Sequence, residues 1–447
     1  MFDEVDVFHR GVAHQEKKDF DLAIDAFSEA IRLNPRYVEA YFGRGNAYEA
    51  KGLYERALDD YNAVLDFSPR EPAAFFNRGC AQSKRGERAA ALADYDKAIE
   101  LDPNSAKAYY NRGLLRFRGR ELDAAMADYD EALRVDDQDA EVFISRGLVH
   151  LVRGAVDEAL AEFDAAIRID PNNSKAHGNR GNALEMRGDF DGAVAEYGEV
   201  LRIDRRDAKA HANRALVLVK QGRLDEALAD FTAAVELNPK SAEAHLGRGA
   251  AYMKKRLVEK ALADFAETLR LEPGRTEAYV QRGAALAALG RREEAHADYD
   301  RALAADPRSV EARFGKAALC GAGGDLDAAI AEYTRVVDQR AGHARAFCQR
   351  GVVYARKGAL AEAVADYDEA IRIDPKYASA YYNRGLVRRL QGAFEQSIED
   401  FSQTIRYSPT FAKAYQNRAL AYDALGQASR AAADLRKANQ LEARGKG

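Results

Sequence analysis

Apolar side chains recur with helical spacing along residues 344–377. Leu360, Ala363, Val364, Tyr367, Ala370 and Ile371 fall at i, i+3, i+4, i+7, i+10 and i+11, which puts them on one face of an α-helix with charged residues on the other. Upstream, Phe347, Gly351 and Tyr354 form a narrower stripe of the same kind. Gly358 between the two stripes suits a helix C-terminus that turns back on itself. Asp374-Pro375 ends the second helix, because the residue before a proline is pushed out of the α region. The pattern predicts a helix-turn-helix.

This unit recurs every 34 residues. Nine of the ten prolines (Pro35, Pro69, Pro103, Pro171, Pro239, Pro273, Pro307, Pro375 and Pro409) are spaced by 34 or its multiples, and the tenth, Pro72, opens a helix. From Glu4 to Gly445 the chain reads as thirteen copies without insertion or deletion: 4–37, 38–71, 72–105, 106–139, 140–173, 174–207, 208–241, 242–275, 276–309, 310–343, 344–377, 378–411 and 412–445. Small residues recur where two helix backbones would approach. The Gly351 position is Gly in ten copies and Ala in three (Ala215, Ala317, Ala419), and the Ala363 position is Ala in all but Ser397. The Tyr367 position is Tyr or Phe except at Leu435. Each hairpin has an exposed apolar side that only the next hairpin can cover. The expected architecture is all-α: one solenoid of stacked antiparallel helix pairs spanning 4–445, in place of the roughly three domains that length alone suggests.

The combined pattern resembles the tetratricopeptide repeat (TPR) family over nearly the whole chain. The large aromatic usual near the start of such repeats is present as Tyr41, Phe75, Tyr109, Phe143, Tyr279, Phe347, Tyr381 and Tyr415. Val7, Arg313 and three histidines replace it elsewhere. The resemblance implies a right-handed superhelix whose first helices line a concave groove.

Composition narrows the functional classes. Lys plus Arg total 67 against 72 Asp plus Glu, a net charge of −5, which excludes a generally basic nucleic-acid binder. No apolar run approaches the roughly 20 residues that span a bilayer, so no membrane insertion is expected. The first residues show no export signal, and three unpatterned cysteines (Cys80, Cys320, Cys348) fit a reducing, cytoplasmic setting without a disulfide. No phosphate-binding loop, zinc motif or nucleophile elbow is present, so neither catalysis nor a cofactor is expected.

Several rows of residues run through the copies. Arg precedes the small Gly in twelve, with Lys316 the exception, and Asp or Glu precedes the aromatic in twelve, with Ala26 the exception. In an antiparallel hairpin these fall opposite each other, so pairs such as Arg112–Asp128, Arg350–Asp366 and Arg384–Asp400 are expected. His177, His211 and His245 share one position in consecutive copies. Stacked helix pairs hold them about 8–10 Å apart, too far for one metal ion, so they are expected to fill the aromatic packing position with one ring nitrogen reaching water or backbone.

Asn77, Asn111, Asn179, Asn213, Asn383 and Asn417, with Gln281 and Gln349, form a row of amides two residues after the aromatic position. An amide both donates and accepts, so a regular row can bind the backbone of an extended peptide without reading its sequence. The row resembles the asparagine ladder in the TPR superhelix of O-GlcNAc transferase. Alternatively, these side chains only solvate the groove or bond to the next helix. An apolar lining is expected beside the row from Phe8, Phe42, Phe76, Tyr110 and Ile144, with Leu114, Phe117, Leu148 and Leu151 on the same helices. The alternative is that these rings pack over their own hairpins.

Repeats eight to ten show Ala250, Ala284, Ala287, Ala288, Ala318 and Gly321, a smooth, shallow stretch. Asn46, Asn77 and Lys107 match part of the carboxylate clamp of chaperone-binding relatives, but Phe42 and Asn111 replace two of its cations. Repeat ten, with Arg313, Lys316 and the turn Gly321 to Gly324, is expected to be the weakest joint, and the Ala-rich last helix to serve as its own cap. The expected function is a non-catalytic scaffold or adaptor that binds extended or helical polypeptide segments. The alternatives are the targeting arm of a glycosyltransferase-like enzyme and a protein that self-associates through its ends.

Overall fold

The computed structural model describes residues 3–444; Gly445, the last residue of the thirteenth copy, lies outside them. Among the described residues the structure is all-α, with two helices of 13–17 residues in each copy and no strand. Where the sequence suggests one continuous body, backbone packing divides the chain into two compact units, Met1–Gln221 and Gly222–Gly447. The boundary falls in the turn between the two helices of repeat seven, Ala208–Lys220 and Leu224–Leu237. Within each unit the helices pack in chain order, each against its hairpin partner and the next hairpin.

In every hairpin but the last, where Leu435 is exposed, the core is built on the second-helix aromatic. Tyr61, Tyr95, Tyr129, Phe163, Tyr197, Phe265, Tyr333 and Tyr367 are fully buried, and the Ala of the same helix lies beneath at 0% exposure in Ala57, Ala91, Ala125 and Ala363. The ring rests on the first-helix glycine: a Cβ on Gly147 would come within 2.4 Å of the Phe163 ring, and one on Gly45 within 2.8 Å of Tyr61. Small residues are therefore required there by ring volume, since a packed core has no slack for an extra methyl group.

The turn also follows the sequence. Gly358 adopts φ +84°, a left-handed cap that costs glycine little. In three repeats a side chain is forced into that conformation: Lys18 at φ 62°, Arg120 at 61° and Arg256 at 60°.

The expected arginine–carboxylate pairs form, and they are bidentate. Arg78 donates to both oxygens of Asp94 at 2.7 Å, Arg350 to Asp366 at 2.8 and 2.7 Å, and Arg384 and Arg112 to Asp400 and Asp128. Burial pushes the Asp60 and Asp400 carboxyls up, while hydrogen bonds from Arg44 and Arg384 oppose that shift. The sequence reading missed a second contact. The same guanidinium reaches back 16 residues to the preceding hairpin, as in Arg44 to Ser28 (3.0 Å), Arg78 to Asn62 (2.7 Å), Arg112 to Asp96 (2.6 Å), Arg350 to Thr334 (3.0 Å) and Arg418 to Ser402 (2.9 Å). Each of these arginines ties two repeats together.

Repeat ten is as regular as its neighbours, with helices Val310–Gly323 and Leu326–Gln339. Lys316 keeps only the backward contact, 2.7 Å to Asp300, and Arg313 takes the carboxylate that Lys316 leaves, lying 3.3 Å from Glu332. Arg313 also donates to the Pro307 carbonyl at 2.7 Å. Tyr41, Tyr381 and Tyr415 donate to the equivalent carbonyls of Pro35, Pro375 and Pro409. His177 joins the two roles, with Nδ1 2.7 Å from Glu196 and Nε2 3.0 Å from the Pro171 carbonyl. His245 does the same with Asp264 and Pro239. The expected backbone contact is present, and the carboxylate contact of the second ring nitrogen is an addition to it.

Candidate peptide-binding surface

Within each unit, first helices of neighbouring repeats pack against one another and present one face. In repeats one to three it opens into a cavity of about 780 Å³ lined by Phe8, Val12, Val38, Phe42, Asn46 and Val64, with Glu16, Glu39 and Glu71 at its edge. Phe8 and Phe42 do pack over their own hairpins, with ring centroids 5.6 Å from Phe27 and 6.0 Å from Tyr61, yet they still contribute surface to the cavity. Phe76 and Tyr110 stand 6.0 Å from Tyr95 and Tyr129 in the same manner. Leu114 and Phe117 are half-buried against the cluster around Tyr129, and Leu148 and Leu151 against the one around Phe163. Ile144 is a correction: at 3% exposure it belongs to the core, because it is covered by the packed hairpins around Phe163 and Tyr197.

The amide row divides into two groups. Asn77 donates to Asn46 Oδ1 at 2.9 Å, Asn111 to the Lys107 carbonyl at 2.9 Å, and Asn417 to the Lys413 carbonyl and the Tyr382 hydroxyl, while Asn383 lies 3.7 Å from Cys348 Sγ. Asn179, Asn213, Gln281 and Gln349 are half-buried and make no hydrogen bond among the described residues. Asn179 and Asn213 line a recess of about 240 Å³ with Asn182, Lys175 and Lys209, at a point where Gly178 stands in place of the larger side chain that most other repeats carry.

A second polar row was not anticipated from sequence: the hydroxyls of the buried tyrosines point at this face. Tyr61 donates to Asn46 at 2.8 Å, Tyr197 to Asn182 at 2.7 Å, and Tyr95 lies 3.5 Å from Cys80 Sγ. In each case the partner stands 15 residues earlier, and that spacing is the sequence signal that would have found it. Tyr61 also lies 3.0 Å from Glu49, whose carboxyl is pushed up mainly by burial. In repeats nine to eleven the partner position holds Ala284, Ala318 and Val352, none of which can accept.

The family description "Tetratricopeptide repeat" matches residues 9–72, 127–174, 144–211, 212–276 and 280–344, and further repeat matches fall at 84–119, 106–139, 354–392 and 412–444. The chain belongs to the tetratricopeptide repeat family. None of the curated proteins matches it. Among solved structures it is similar to the APC/C hetero-tetramer Cut9-Hcn1, at 16% identity and TM-score 0.49 over 99% of this chain and 94% of that one. It is also similar to yeast Tom70, at 16% identity and TM-score 0.47 over 95% and 96%. YrrB, "a TPR protein with an unusual peptide-binding site", is 30% identical with TM-score 0.34 over 41% of this chain and 95% of that one. No helix is long and apolar enough to cross a membrane among the described residues.

Proposed function

We propose that this TPR protein is a non-catalytic scaffold that holds extended polypeptide segments on its first-helix face. The family is generally one of protein-interaction scaffolds. The observation that carries the reading is the cavity of about 780 Å³ between the first helices of repeats one to three, where the rings of Phe8 and Phe42 and the side chains of Val12 and Val38 face open space beside the Asn46 amide. A cavity of this size and lining takes apolar side chains of a partner, and the unbonded amides of Asn179 and Asn213 are suited to its backbone.

The test is a peptide-display selection against the full chain, followed by affinity measurements on the selected peptides. Asn179→Ala/Asn213→Ala should weaken them about 25-fold, at roughly 1 kcal/mol or about fivefold for each of two peptide hydrogen bonds lost to water, with unchanged circular dichroism. A photo-crosslinker at Gln15, which lines the same cavity, should label the peptide. Selected peptides that bind the double variant as tightly as the parent and do not crosslink would refute the reading.

A further inference from the structure

The cavity between the first helices of repeats one to three has an apolar middle and acidic ends. Phe8, Val12, Val38 and Phe42, all half-buried, stand over the fully buried Phe27 and Val64. Gly43 lines it at the position where six other repeats carry an asparagine of the amide row, and a Cβ there would come within 2.7 Å of the Phe27 ring. The ring therefore leaves no room for an amide at that point.

Three lining residues are charged, Glu16, Glu39 and Glu71, and none is Lys or Arg. None of the three has an ion-pair partner among the described residues, whereas carboxylates inside the repeats, such as Asp60 and Asp94, each hold an arginine. Glu71 accepts only from the backbone N–H of Ala73, at 3.3 Å. The same sign extends past the wall. Tyr37, whose ring lies 5.1 Å from Phe8, has its hydroxyl pushed up by burial and then by the charges of Glu39, Glu4 and Asp3. The exposed cations of the flanking turns and helices, Lys17, Lys18, Arg36, Arg70, Lys84 and Lys107, do not line the cavity. Exposed charges act over about 8 Å at physiological salt, so a side chain seated in the cavity meets chiefly the carboxylates of its own wall.

Repeat register sets the spacing. Glu16 ends the first helix of repeat one, and Glu39 stands in the first turn of the first helix of repeat two. They differ by about eleven residues in register, which at 1.5 Å per residue places about 16 Å of apolar wall between them. An extended chain covers that length in about five residues at 3.3 Å each.

We infer that the cavity binds an extended polypeptide segment with a bulky apolar anchor between two basic clusters about five residues apart. The anchor lies against Phe8 and Phe42, with one cluster at Glu16 and the other at Glu39 and Glu71. The inference rests on the scaffold reading above and names the ligand class of its cavity. Burial of the anchor supplies most of the affinity, and the carboxylates supply the choice of sequence, because an anchor flanked by Asp or Glu would bring like charges together.

The probe is fluorescein-labelled Lys-Lys-Ser-Leu-Phe-Ser-Lys-Lys, titrated with the full chain and followed by anisotropy. It should bind at least tenfold more tightly than Glu-Glu-Ser-Leu-Phe-Ser-Glu-Glu, which has the same anchor, and than Lys-Lys-Ser-Ser-Ser-Ser-Lys-Lys, which has the same charge. Glu16→Gln/Glu39→Gln/Glu71→Gln keeps every acceptor, including the one that caps Ala73. It should weaken the basic peptide about tenfold, at roughly twofold for each exposed ion pair, and erase the preference over the acidic one. Glu243→Gln/Glu311→Gln, at two exposed glutamates of the second unit, should leave the titration unchanged. Equal affinity of the triple variant and the parent overturns the inference, as does equal affinity for either control peptide. Light scattering of the chain alone should give a monomer. A dimer that the peptide dissociates would make a second copy the occupant and also overturn it. Display-selected peptides that crosslink at Gln15 but carry no cation beside the anchor would sink the ligand class named here while the scaffold reading stands.

Discussion

Arg313 lies 3.3 Å from the Glu332 carboxylate, a contact that Lys316 does not make. Lys316 instead reaches Asp300 in the preceding repeat at 2.7 Å. The work of one bifunctional arginine is thus divided between two residues one helical turn apart, and Glu332, 8% exposed, keeps its countercharge.

Removing that substitute should be costly. Arg313→Ala is expected to destabilise the second unit by about 2 kcal/mol, because it leaves a nearly buried carboxylate with only the exposed Arg335. Adding Lys316→Arg should recover most of the loss. Urea unfolding of the two variants checks this, and a second substitution without effect would sink the idea of a divided role.

The same chemistry can be removed outright. Arg78→Met should cost about 3–5 kcal/mol, since Asp94 at 6% exposure loses its only bidentate partner. Arg78→Met with Asp94→Leu should be close to neutral, because an apolar pair needs no desolvation. A double variant no more stable than the single one would show that the pair does more than hold two charges.

Glu49 gives a pH dependence with a definite sign. Burial raises its carboxyl above the ordinary value of 4.5, so the folded chain binds the proton more tightly than the unfolded one. Its contribution to stability is therefore present at low pH and declines as pH rises from 4.5 through the raised value. Glu49→Gln removes this decline and leaves an acceptor for Tyr61. Its melting temperature relative to the parent should rise with pH across that window, and parallel melting curves would contradict the assignment.

Arg120 occupies the turn at φ 61° where most repeats place glycine. Arg120→Gly should stabilise the hairpin by roughly 0.5–1 kcal/mol, the relief of left-handed strain less the extra chain entropy of glycine. A thermal melt decides it, and an unchanged or lower midpoint would show that the side chain is stabilised there by other contacts.

Much of the fold was legible because it depends on period alone. The spacing of Leu360, Ala363, Val364 and Tyr367 and the recurring Gly358 turn set the hairpins, and the opposed Arg350 and Asp366 set their pairing. The backward reach of each arginine was hidden because its partners differ in type: Ser28, Asn62, Asp96 and Thr334 share a position and no chemistry beyond polarity. The amide row was visible as a row, but whether an amide is already bonded depends on a neighbour in another repeat, as Asn46 decides for Asn77. Ile144 looked like a lining residue because its position carries aromatics elsewhere. Its smaller side chain is covered by its neighbours, and sequence spacing carries no information about that.

The arginine ties are not evenly distributed. Arg248 and Arg282 find Thr232 and Ala266 where their backward partner would stand; Thr232 donates to the Leu228 carbonyl, and Ala266 has no polar group. Among the described residues the first of these junctions keeps the ion pair of Lys255 with Asp225, while the second is held by apolar packing, which resists sliding less than an oriented ion pair does. The second unit should accordingly bend most readily at the second junction, giving the shallow alanine stretch a compliance that the tightly tied repeats two to six lack.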